Sequence, residues 1–177
     1  MAADTSMKHA LHYAMYYAVI AFAGFVVLSF MFQNPLGNSG LLISWVIILF
    51  ICLAQKSYRD KVLGGSITYG QAFKVGMATV FFSAFLYNVL IFFYLKMLRP
   101  ELVENFRNYT MTEMEKMKDL NIMSDKLMDS MISQSEYLSA YSITQGDMFN
   151  KILGGFVIVL ITSAIYKKDN SIFTPKE

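Results

Sequence analysis

Polar side chains set among apolar ones are where a buried or membrane-embedded centre does its chemistry, because burial is costly and needs compensation. Here they are few. Asn88 is the one strongly polar residue deep inside an apolar stretch, and no such stretch carries Asp, Glu, Lys or Arg at its middle. Asn88 has two readings: a contact to a ligand or ion, or a hydrogen bond to a neighbouring helix worth about 1 kcal/mol or less. Thr79 and Ser83 precede it on one helix face. A solute path would use all three, although Asn88 falls off that line. His9 and His12 can share a helix face, but only Asp4 is nearby, which makes a poor metal site. Met111, Met114 and Met117 form a run of thioethers. Such ligands suit copper(I), and they equally fill adaptable apolar surfaces. The single cysteine, Cys52, excludes an intramolecular disulfide and a multi-cysteine metal site. No phosphate-binding glycine loop, metalloprotease motif or serine elbow is present. An enzyme acting on lipid would have to draw on His9, His12 and Asp60. These residues predict no catalytic centre, no cofactor and no metal.

The elements that would hold them are apolar and long. Of 177 residues, 55% are apolar and 16% charged, against roughly 25% charged in soluble domains. The net charge of +2 gives no footprint for nucleic acid. Four apolar stretches stand out, at residues 10–32, 41–54, 75–95 and 148–166, the last with Lys151 near its start. Roughly 20 helical residues cross a hydrocarbon core of about 30 Å. The expectation is an all-α, integral membrane four-helix bundle forming one domain. Its spans are expected at about 10–32, 39–57, 73–97 and 147–166. The second stretch is short, so it spans only if the helix continues through Ser39 and Gln55–Tyr58; otherwise it is a buried or re-entrant segment. Ala21-Phe22-Ala23 has a small-x-small pattern, yet the apolar run continues to Phe32, which predicts an anchor rather than a cleaved leader.

Charge sets the expected orientation. Lys56, Arg59, Lys61 and Lys74 crowd the connection after the second stretch, and Lys167-Lys168 follow the fourth. Positive loops stay inside, which predicts cytoplasmic N- and C-termini. Residues 99–146 then form an extracytoplasmic amphipathic helical segment. Pro100 can open a helix carrying Leu102, Phe106, Tyr109, Met114 and Met117, Asn121 offers a break, and Ser124 is the expected N-cap of a second helix. Capping boxes are expected at Thr68–Gln71 and Ser142–Gln145. Ala10, Ala14 and Ala18 make a small-residue stripe suited to close helix packing, in the bundle or between copies.

The connection reads Lys56-Ser57-Tyr58-Arg59-Asp60-Lys61-Val62-Leu63-Gly64-Gly65-Ser66-Ile67-Thr68-Tyr69-Gly70-Gln71-Ala72-Phe73-Lys74-Val75-Gly76. Arg59 and Asp60 can pair at a helix end, Gly64-Gly65 supplies a tight turn, and Gly70 and Gly76 permit close backbone approach. Two readings stand for this loop: a well-capped helical hairpin, or a lipid-headgroup phosphate site built from its bases and glycine amides. Arg59, Asp60, Gly64, Gly65, Gly70, Gln71 and Asn88 are thus the candidate packing or lipid-contact residues. The Tyr58-Arg59-Asp60 run, the Gly64-Gly65 turn and the Ile67–Gly76 segment resemble the bacterial membrane-protein family known as domain of unknown function 4199. The resemblance implies a bacterial inner-membrane protein and brings no activity, substrate or catalytic residue.

The functional expectation is a non-enzymatic accessory or scaffold subunit in contact with the lipid bilayer, with a membrane-protein partner or a homo-oligomeric state. The alternative is an oligomeric small-solute transporter or channel protomer.

Overall fold

The computed structural model describes residues 2–32, 34–37, 43, 45–119 and 124–168. Among the described residues six α-helices follow one another: α1 Ala2–Met31, α2 Val46–Ser57, α3 Tyr69–Phe93, α4 Glu101–Asp119, α5 Asp125–Glu136 and α6 Ala140–Tyr166. Single π-helical turns extend α2 over Tyr58–Val62 and α3 over Tyr94–Leu98. No strand occurs among the described residues, only an isolated antiparallel bridge between Ile67 and Lys168. The chain is all-α.

Three of the described helices are long and apolar enough to cross a membrane: Thr5–Met31, Tyr69–Leu98 and Ala140–Tyr166. By that criterion the chain is a multi-pass membrane protein. Its surface agrees, since Phe30, Trp45 and Ile165 are each 70% or more exposed. A water-soluble chain rarely leaves so many large apolar side chains outward, whereas lipid solvates them.

The second expected span differs. Helix α2 has 12 residues, about 18 Å of rise, and the start of the expected 39–57 span lies outside the described residues, as does Asn121. Helix α6 differs too. It begins at Ala140, seven residues before the expected start at 147, because Ser139 caps it. The Ser139 hydroxyl accepts from the Ser142 amide, and Ser142 bonds back to the Ser139 amide at 2.8 Å. The capping box expected at Ser142–Gln145 is therefore one turn upstream. The box at Thr68 and Gln71 is where the sequence places it. Ser124 stands at the N-cap of α5, although its hydroxyl makes no capping bond.

Helix α3 is the hub, packing on α1, α2 and α6. Tyr17 lies 6.0 Å from Tyr87, and Phe25 lies 5.9 Å from Tyr94 between ring centroids, so α1 and α3 run parallel. A buried hydrogen bond of 2.6 Å between Ser29 and Tyr94 fixes their far ends. Helix α2 runs back along α1, with Phe50 against Tyr17 and Tyr58 against His9. Helix α6 runs back along α3, with Gly155 against Val80 and Val159 against Gly76. One end thus gathers the start of α1, the 58–68 connection and the end of α6. The other gathers the Pro35–Gly37 turn, the end of α3 and α4. Ala10, Ala14 and Ala18 are all buried within this packing, so the small-residue stripe serves the chain's own helices. Helix α4 packs on α5, forming the expected helix pair, and plugs Leu102 into the main core.

Candidate functional site

The 58–68 connection is a closed piece of structure. The Arg59 guanidinium donates to Asp60 through Nε at 2.7 Å and Nη2 at 3.3 Å, and it lies 5.8 Å from the ring centroid of Tyr166. The Arg59 hydrogen bond holds the Asp60 carboxyl below its ordinary value. Gly64 and Gly65 adopt φ of +67° and +100°, a region that costs an L side chain 1–2 kcal/mol or so. The turn lets the Gly65 amide donate to the Arg59 carbonyl at 2.8 Å. Ile67 and Lys168 exchange backbone hydrogen bonds at 2.9 and 3.0 Å, which ties the end of α6 to the loop. Gln71 is occupied in the Thr68 cap. The amides of Leu63, Gly65 and Ile67 are all spent on carbonyls. Gly76 does permit close approach: a Cβ there would stand 2.7 Å from Gln55 Nε2. Gly70 does not behave that way, since a Cβ there would meet open space.

Asn88 is buried on α3, but its expected interhelical bond is not made. Its Nδ2 donates to the Ala84 carbonyl of its own helix at 2.9 Å. Its Oδ1 has no hydrogen-bond partner among the described residues. Beside it stands a feature that reading the sequence missed. Lys151 Nζ donates to both carboxylate oxygens of Asp147, at 2.5 and 2.6 Å, and lies 4.6 Å from the centroid of the Tyr87 ring. The Lys151 side chain is 8% exposed, that of Asp147 38%. Tyr87 is 11 residues short of Leu98, so this ammonium lies about 16 Å in from the far end of the extended α3. An i,i+4 pair normally marks a solvated helix face. The burial of Lys151 comes from the packing of α6 on α3, which sets the ammonium over the Tyr87 ring.

Two cavities flank the pair. One, of about 220 Å³, reaches Asn88, Asp147, Asn150 and Lys151 beneath the Pro35–Gly37 turn. The other, of about 370 Å³, opens towards Trp45 and Ile48. Nearer the loop end, Gln55 is fully buried on α2 and donates from Nε2 to the Ala72 carbonyl at 3.2 Å and to Ser163 Oγ at 3.0 Å. This joins α2, α3 and α6. Its position at the edge of an apolar stretch, on the same face as Ile47, Ile51 and Ala54, was the available signal. Thr79 and Ser83 are buried, and Thr79 Oγ1 bonds the Val75 carbonyl at 2.8 Å. His9 packs on Tyr13 and Tyr58, whereas His12 packs on Tyr13 and Tyr16.

A family model described as protein of unknown function (DUF4199) matches residues 12–168. The chain belongs to this family. The DUF4199 match takes in the 58–68 connection, Asn88, Asp147 and Lys151, and ends at the residue whose backbone bonds Ile67. No curated protein and no solved structure matches the chain.

Proposed function

We propose that this protein is a four-span protein of the bacterial inner membrane with both termini in the cytoplasm. In this reading it catalyses no reaction and serves as an accessory or scaffold subunit that docks another envelope protein on the α4–α5 pair. The four-span bundle is supported by Ile43, at the level of Gly24 of α1, and by Tyr58, just past α2, at the level of His9. That stretch covers about 22 Å of α1. The orientation is supported by the bases of the 56–74 connection and by Lys167-Lys168, at one end of the molecule.

The observation that carries the docking role is a groove of about 430 Å³ where α4, α5 and the start of α6 meet. Met114, Met131 and Leu138 supply adaptable apolar walls, and Tyr137, 82% exposed, stands at its rim. Aromatic and methionine side chains in such settings are enriched at interface cores. The groove suits an apolar anchor from a neighbouring membrane protein. A photo-crosslinker placed at Tyr137 in native membranes is expected to trap one protein of defined mass, and Met131→Asp should abolish the adduct. A crosslink that is absent, or indifferent to Met131→Asp, would end this reading.

One observation favours the rival reading as an oligomeric transporter or channel protomer, namely the Asp147–Lys151 pair with its buried ammonium. Charges inside membrane helices commonly line substrate or ion routes. Solute flux in proteoliposomes, lost on replacing the pair, would decide for it.

A further inference from the structure

The geometry points to a binding site for a small zwitterion, of the size and charge pattern of an apolar α-amino acid, in the cavity between Asn88 and the Asp147–Lys151 pair. It rests on different residues from the α4–α5 groove and stands whether or not a partner docks there.

The argument begins with charge. Lys151 and Asp147 neutralise each other, so the site carries no net charge among low-dielectric walls. A ligand with a single charge would leave one charge unpaired there, which is costly. A ligand with one charge of each sign can exchange partners with the pair and leave none over. The polar atoms match that pattern. The Asp147 carboxylate is the acceptor for an ammonium group. Lys151 and Asn150 are donors for a carboxylate, and both border the same cavity. Asn88 is 5% exposed, and its own helix already takes its amide nitrogen.

Size and lining set the rest. The cavity of about 220 Å³ equals the liquid volume of about seven waters, enough for a branched aliphatic body and too little for a lipid headgroup with its chains. Phe25, Ile91, Phe106 and Ile143 supply apolar wall. Pro35, Leu36 and Phe106 line the cavity at its α4 end. A ligand would enter there, from the side that the positive-inside reading makes extracytoplasmic.

The test is isothermal titration of the full chain in phosphatidylcholine nanodiscs with L-valine, isobutylamine and isovalerate, which carry both charges, only the positive and only the negative. L-valine is expected to bind, and each singly charged analogue to bind at least about tenfold more weakly, because it strands half of the pair's hydrogen bonds. The charge-free double variant Asp147→Leu, Lys151→Met should lose binding while keeping its helical circular dichroism. Absence of L-valine binding overturns the proposal. So does an analogue that binds as tightly as L-valine, or binding that survives the double variant.

Discussion

Lys151 and Asp147 are unequal partners, and the inequality is measurable. Lys151 is 8% exposed and Asp147 38%. Asp147→Asn strands a buried ammonium, at a cost of about 3–5 kcal/mol. Lys151→Met leaves a carboxylate that water can still reach, so its cost should be clearly smaller. The double replacement should fall near the parent protein, since neither charge is then left alone. Thermal unfolding of all three variants in one detergent checks the order. The neighbouring glycines form a second contrast. A Cβ at Gly155 would meet Val80 Cγ1 at 2.5 Å, while one at Gly154 would meet nothing within 4 Å. Gly155→Ala is expected to destabilise by about 1–3 kcal/mol through overpacking. Gly154→Ala should be neutral or stabilising by up to about 1 kcal/mol, since alanine loses less backbone freedom in a helix. Two adjacent residues of one type thus report which face of α6 meets α3.

At the scale of elements, the ends of the helices decide where side chains sit. Ser139→Ala should cost about 1 kcal/mol because it removes a cap, whereas Gln145→Ala, inside the helix, should stay within about 0.5 kcal/mol. The same unfolding assay separates them. The 58–68 connection answers to acid. Arg59 lowers the Asp60 pKa below its ordinary value, so the pair stabilises the fold fully at neutral pH. That contribution fades as pH falls from the unfolded carboxylate value through the lowered one. Asp60→Asn should flatten this acid limb in a series of unfolding midpoints from about pH 3 to 7. The effect is small, as Asp60 is exposed. The Thr68 cap was legible because a capping box is a local pattern of four residues. The α6 cap was misplaced by one turn because Ser139 and Ser142 bond reciprocally with hydroxyls alone, without the Glu or Gln that marks the usual box.

For the whole molecule, topology is the first thing to establish. Reporters fused after Gly37 and Lys118 should read as extracytoplasmic, and those after Gly65 and Lys168 as cytoplasmic. A cytoplasmic reading after both Gly37 and Gly65 would mean that α1 does not cross as proposed. The sequence by itself determined that the chain is helical, that its long apolar helices suit a membrane, that Gly64-Gly65 makes the turn, and that it resembles the DUF4199 family. Each of these is written in composition, hydropathy or a short local motif. Only the tertiary structure decided that Ala10, Ala14 and Ala18 face the chain's own core, that Gln55 ties three helices together, and that Asn88 bonds its own helix. It alone drew Asp147 and Lys151 inward against Tyr87. Hydropathy along a chain records how much of a helix can be buried, whereas the depth and company of one side chain depend on how that helix is aligned against its neighbours.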